Sequence, residues 1–272
     1  ELYMFYLTGG DGAGDNHLKN IVRLGGSASK LHLLLLLAAV NMDEQALTHL
    51  KALLESMVYY STVNQIKTNE LERLYAQWCK QIREIHTDEE LTSFINDKIR
   101  PTISQWKVNN RSNFMRIGFD SMQQYRVKFI LARITKYVDV RRKNGGDASN
   151  VAEFYEGGIE IEHIMPQKYS AAYGISEDDY NAAKQRLGNL TLLEKTINAS
   201  IGDDAFASKS EAYRQSAYYL TRSIAQLDDV GQQTAINRMN QKLRSWSSWG
   251  PSLIEDRQAI LYDLSEEIWS ID

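Results

Sequence analysis

Apolar residues recur every three to four positions over most of this chain, the repeat of a helix with one buried face, and alternate every second position only briefly near its middle. The leucine-rich run Leu31–Val40, preceded by the capping residues Ser27 to Ser29, predicts one helix. Asn41 or Asp43 can cap the next, which runs through Leu47, Leu50, Leu54 and Val58. Leu71, Leu74, Trp78, Ile82 and Ile85 form another stripe, and Tyr125, Phe129, Ala132, Ile134 and Tyr137 one more. Ahead of them, Leu2 to Leu7 leads into Gly9–Asp15. That stretch lacks the third glycine of a dinucleotide fingerprint and the Gly-Lys-Ser/Thr ending of a phosphate loop, so it reads as a flexible turn.

The period changes beyond Arg141-Arg142-Lys143, where Asn144-Gly145-Gly146-Asp147 breaks the helical pattern and sets the expected domain boundary: a helical domain over 1–145 and a second domain over 146–272. Ile159-Glu160-Ile161-Glu162 alternates as a short strand that Pro166 limits. Ser176 opens a helix with Arg186 in its last turn and Gly188 as its stop. Leu190 to Leu193 predicts a second strand, followed by a short helix bearing Asn198. A longer helix, opened by Asp203 or Asp204, then carries Phe206, Tyr213, Ala217, Leu220, Ile224 and Leu227 on one side.

With three prolines in 272 residues and abundant helix formers, the chain is expected to be mainly α: an N-terminal helical bundle, then a small domain with two strands. The net charge of −4 argues against a protein that coats nucleic acid nonspecifically. Locally the balance reverses, because the segment 98–143 holds twelve lysines and arginines against Asp120 and Asp139. Arg126, Lys128, Arg133 and Lys136 within it read either as a solvated helix surface or as contacts to a phosphate backbone. The single cysteine, Cys79, excludes an internal disulfide and a cysteine zinc site and fits a reducing compartment, with the cytoplasm expected. Leu31–Val40 is about half the ~20 residues of a membrane span, so no membrane partner is expected. The start at Glu1, inside an apolar phrase, suggests a fragment of a longer protein. His17, His32, His49 and His86 are scattered without metal-ligand spacing and read as structural or solvated.

Chemistry is concentrated between Ile159 and Lys209. Glu162-His163-Ile164-x-Pro166, then Asn189-Leu190-x-Leu192-Leu193, then Asn198 nine residues beyond Asn189, resembles the HNH nuclease motif. The longer pattern adds Gln167, Leu187-Gly188, Phe206 to Lys209, Tyr213, Leu220-Thr221 and a tail from Arg257 to Trp269. It resembles the C-terminal nuclease domain of GmrSD-type modification-dependent restriction enzymes, most strongly over 159–226. The resemblance implies a ββα-metal core surrounded by helices and a divalent-metal-dependent DNA endonuclease of phage defence. It implies one Mg²⁺ or Mn²⁺ on Glu162 and Asn198, His163 as general base and Asn189 holding the loop that orients it. It also implies double-stranded, foreign phage DNA as partner, and a sensing and nucleotide-hydrolysing domain or subunit on the N-terminal side. Many HNH domains carry a structural zinc on paired cysteines. Glu194 and Ile197 stand where one such pair falls, so no structural zinc is expected.

The residue types suit the reaction. Hydrolysis of a phosphodiester needs a water deprotonated near neutral pH, the range in which imidazole titrates. The leaving alkoxide needs a cation, and oxygen ligands suit a hard one. Lys209 reads as a phosphate contact or as a solvated helix residue. Neighbours in a strand face opposite ways, so Glu162 and His163 converge only where the strand ends or twists. If it continues, Glu160 competes for the carboxylate role. Two other functions stay open: a noncatalytic helical module whose degenerate HNH motif only binds DNA or protein, and a phosphatase-like metal hydrolase of small substrates.

Overall fold

The computed structural model describes residues 15–26, 30–229, 231 and 234–271. Leu2 to Leu7, Gly9 to Gly14 and the expected caps Ser27 to Ser29 lie outside the described residues. The chain divides into two compact units, Glu1–Phe114 with Trp269–Asp272, and Met115–Ile268. The division falls ahead of position 145 because the long basic helix Gln124–Arg142 is a core element of the second unit, so the basic segment is shared between units.

In the first unit Asp15 caps α1 (Asn16–Gly25) by accepting from the Leu18 amide. Then follow α2 (His32–Ala38), α3 (Glu44–Val63), α4 (Thr68–Ile82), α5 (Asp88–Phe94), a π turn over Ile95–Ile99, α6 (Arg100–Lys107) and α7 (Asn110–Phe114). Asp43 is the cap of α3, and Thr87 with Glu90 forms a capping box on α5. α3 is the axis, packed by α1, α5 and α6. Its Glu55 is buried and hydrogen-bonded: it accepts from Asn20 and from the Trp269 indole and lies 2.7 Å from His17 Nδ1. Trp269 also stacks on Tyr59 with ring centroids 3.8 Å apart. His49 pairs with Asp88, so these histidines serve the scaffold.

The second unit is built on α8 (Gln124–Arg142), which is buried around most of its circumference through Val127, Ile130, Leu131, Ile134 and Val138. β1 (Ile159–His163) pairs antiparallel with β2 (Leu190–Glu194), from Ile159 opposite Glu194 to His163 opposite Leu190. α9 (Glu177–Gln185), capped by Ser176, fills the excursion between them. α10 (Lys195–Ile201), α11 (Phe206–Tyr213), α12 (Tyr219–Ala225), α13 (Ala235–Asn240) and α14 (Pro251–Ile268) follow. β2 is covered by α8, α10 and α12, which buries Leu190 to Leu193 on both faces. The long helix expected after Asp203 is two helices, α11 and α12. The Glu194 carboxylate takes the Ser216 hydroxyl at 2.9 Å and the Ala217 amide at 2.6 Å, drawing that amide out of the helical ladder. Among the described residues no helix is long and apolar enough to cross a membrane.

Candidate active site

β1 runs unbroken through Glu162 and His163, the last residue of the strand, so their side chains leave on opposite faces. On one face Glu162 meets α11. Lys209 and Tyr213, one turn apart on that helix, both reach its Oε1: the ammonium donates at 2.7 Å and the phenol at 2.9 Å. Lys209 Nζ also donates to the His163 carbonyl at 2.7 Å. Lys209 is 1% exposed and Glu162 is 6% exposed, so this lysine, expected on a DNA surface, is an interior residue that ties α11 to the end of β1. Burial pushes the Glu162 carboxyl above the usual range, and the charge and hydrogen bond of Lys209 pull it back. Burial and the adjoining carboxylate push the Tyr213 phenol well up.

On the other face the His163 ring lies edge-on to Phe119, with centroids 5.0 Å apart. Its Nε2 is buried and has no hydrogen-bond partner among the described residues. Burial, then the charges of Lys209 and Lys184, bring its pKa down to about 4 against the opposing pull of Asp203. The neutral ring is therefore the native form. The unfolded chain takes up this proton below about pH 6.5 while the folded chain resists until about pH 4. The associated stability is thus present above pH 6.5 and is lost as pH falls towards 4, about 3 kcal/mol in all. Unfolding free energies across that window should fall less steeply for His163→Ala than for the wild type; equal slopes would mean that the histidine is not held neutral.

Asn189 is fully buried and saturated. Its Oδ1 accepts from the Met165 amide at 2.7 Å and from Trp249 Nε1 at 2.9 Å. Its Nδ2 donates to the carbonyls of Lys184 at 2.9 Å and Met165 at 3.3 Å, and its own carbonyl takes the Ile164 amide. These bonds hold the two residues that follow His163. α14 braces the same turn: Arg257 donates to the carbonyls of Gly188 and Leu190, and Gln258 Oε1 accepts from the Gly188 amide. A Cβ at Gly188 would stand 2.0 Å from the Ile254 carbonyl, so glycine is what lets the helix and turn approach. Phe119 and Trp249 are site residues that sequence patterns did not reveal, and Arg257 and Gln258 stood only in the family-like tail with no role assigned, since each meets the motif from 44 to 70 positions away.

Asn198, on α10, faces Glu160 and not Glu162, its Nδ2 donating to Glu160 Oε2 at 2.8 Å. Among the described residues no three His, Cys, Asp or Glu side chains gather as a metal cage. The Glu160–Asn198 pair nevertheless brings two hard oxygen-donor groups together, partly buried, which suits an ion that keeps most of its water. The other expected DNA contacts on α8 are engaged within the unit. Lys128 donates to the Ile159 carbonyl at 2.9 Å, Arg133 is buried and donates to the Ala148 carbonyl, and Lys136 pairs with Glu153 at 3.2 Å. Arg126 lies over the Tyr125 ring, at 5.6 Å from its centroid, in a half-exposed position.

A family model described as GmrSD restriction endonucleases, C-terminal domain, matches residues 106–264. The chain belongs to this family. No curated protein matches the chain. In this GmrSD C-terminal domain the matched stretch takes in α8, both strands and α9 to α13, and with them Glu160, Glu162, His163, Asn189, Asn198, Lys209 and Arg257. The helices before α6 lie outside the match.

Proposed function

We propose that this GmrSD C-terminal domain is an HNH-type, divalent-metal-dependent DNA endonuclease of a modification-dependent restriction system, with foreign phage DNA as its substrate and a sensor domain or subunit acting with it. The observation that carries the reading is His163: a neutral imidazole at the tip of β1, with Nε2 unpartnered among the described residues and positive charge from Lys209 and Lys184 nearby. That nitrogen takes the proton of a water as the water oxygen attacks phosphorus and the P–O bond to the leaving oxygen breaks. The lysine charges that add to burial in depressing the histidine also favour an approaching phosphate. Asn189 fixes the Ile164–Met165 backbone and so the direction of the imidazole. Asn198 and a carboxylate of β1, Glu162 in the family pattern, would hold Mg²⁺ or Mn²⁺. When bound, such an ion supplies charge for the leaving oxygen and the phosphoryl oxygens.

Plasmid nicking with Mg²⁺ or Mn²⁺ is the test. His163→Ala should lower the rate by about 10²–10⁴-fold, the range for loss of a general base, with the fold retained by circular dichroism. Unchanged nicking in that variant would remove His163 from the mechanism. A second reading, a noncatalytic module with a degenerate motif, is favoured by the full engagement of Glu162 Oε1 with Lys209 and Tyr213. It requires DNA retention without turnover in either metal.

A further inference from the structure

On the basis of the nuclease reading above, in which DNA is the substrate, we infer that the cavity lined by Tyr169, Tyr173, Phe206 and Trp249 takes one nucleobase turned out of the DNA helix near the bond that is cut. The cavity measures about 640 Å³, within the range of small-ligand sites and ample for a base with its sugar. It lies wholly in the second unit, between the turn that follows His163, the short turn Ala171–Tyr173, the start of α11 and the segment ahead of α14.

The lining is aromatic. Phe206 and Trp249 stack with ring centroids 5.5 Å apart and planes 21° from parallel, and Tyr169 and Tyr173 each meet Tyr180 edge to face at 5.3 Å. Such rings give flat apolar surface on which any base can stack, whatever its identity. The rim is polar. Ser247 and Ser248 are exposed along it and carry hydroxyls that can donate to or accept from the edge of a heteroaromatic ring. Lys168, also exposed there, is a cation for the phosphate of the same nucleotide. Aromatic walls under a hydroxyl and ammonium rim match a nucleotide better than an aliphatic chain.

The cavity shares its walls with the turn that carries the chemistry. Trp249 donates from Nε1 to Asn189 Oδ1, the same oxygen that holds the Met165 amide. Pro166 lines the cavity three residues beyond His163, at most about 11 Å along the chain. Asp203, in the opposite wall, accepts from the Gln167 and Lys168 amides at 2.6 and 3.0 Å, and its charge reaches the His163 ring. Tyr180 donates from its hydroxyl to the carbonyls of Pro166 and Lys168, and Tyr169 to the carbonyl of Ile175. The walls are thus tied together before a ligand arrives, which lowers the ordering cost of binding. A base seated there draws its neighbouring phosphate towards the imidazole, so the bonds that orient His163 also set the register of the strand.

Fluorescence anisotropy of a short labelled duplex with one bulged nucleotide, measured with the whole chain in EDTA so that no metal-dependent hydrolysis occurs, isolates the base when the same duplex carries an abasic residue at the bulge. The phosphates are the same in both. The wild type should bind the bulged base about fivefold or more tightly than the abasic bulge, the range for base–aromatic stacking. Tyr173→Leu keeps apolar bulk against Tyr180 and removes the aromatic face. It should bring the affinity for the bulged base to within about twofold of that for the abasic bulge, with abasic binding and circular dichroism unchanged. Tyr169→Leu gives the same comparison if Tyr173→Leu does not fold. The inference is overturned if the wild type binds both duplexes equally or neither, or if the preference for the base survives in the folded variants. Plasmid nicking by the wild type and its loss in His163→Ala decide the nuclease reading separately. A nuclease indifferent to the bulged base sinks this inference alone, and base-dependent binding without nicking sinks the nuclease reading while the base site stands.

Discussion

Asn189→Ala is expected to cost about 4 kcal/mol of folding stability and to abolish nicking along with it. The side chain has no exposure and satisfies four groups: the Met165 amide and carbonyl, the Lys184 carbonyl and the Trp249 indole. A buried polar group left without its partner costs roughly 1–3 kcal/mol, and the total is held down because neighbours relax together. Urea unfolding with an unchanged m-value measures the loss. A cost under about 1 kcal/mol would mean that other groups or water take over the bonds. Asn189→Asp is a sharper probe of geometry. It keeps the acceptor but turns the donor into an anion facing the carbonyls of Lys184 and Met165, so it should destabilise most at neutral pH and recover as acid protonates it.

Lys209→Met should destabilise the second unit by roughly 3–5 kcal/mol, the range for leaving a buried charge unpaired. Methionine fills a similar volume, so the loss reports on charge and hydrogen bonding at Glu162 and at the His163 carbonyl. Its pH dependence has a definite sign. Burial already raises the Glu162 carboxyl above its ordinary value, and removal of the ammonium raises it further. A carboxylate whose folded pKa is raised contributes stability below its unfolded pKa and loses it as pH rises through the folded value. The variant should therefore fall furthest below the wild type at neutral and alkaline pH and approach it in acid. Lys209→Met combined with Glu162→Gln should regain most of the loss, because the orphaned charge is gone. A single variant with a flat pH response, or no rescue in the double one, would contradict the pairing.

Much of the site's scaffold is legible in the order of residues. Alternation in Ile159 to Glu162, the apolar run Leu190 to Leu193 and the helix signals at Ser176 are local, and the structure has strands and helices there. What the pattern leaves out is tertiary. A lysine near the start of an amphipathic helix looks solvated, and only the packing of α11 on β1 makes Lys209 an interior ion pair. The break between α11 and α12 comes from Glu194, 22 positions before Ser216, so the apolar spacing continues across it undisturbed. The boundary near Phe114 carries no change of composition, whereas the glycines at 145 and 146 follow a helix already committed to the second unit. Membership of the GmrSD family is the part most directly readable, because three short blocks keep their order and spacing.

The placement of Trp269 has a consequence for the order in which the chain acquires its structure as it is made. The second unit is one uninterrupted stretch, so everything it needs emerges in sequence. The first unit is begun earlier, yet the indole that stacks on Tyr59 and donates to Glu55 follows the whole of the second unit in the chain. Domains ordinarily fold as units from the N-terminus during translation. Here the first unit cannot gain the indole bond to its central buried glutamate until all of 115–268 has been synthesised, so its core is completed from the far side of the second unit's stretch of chain.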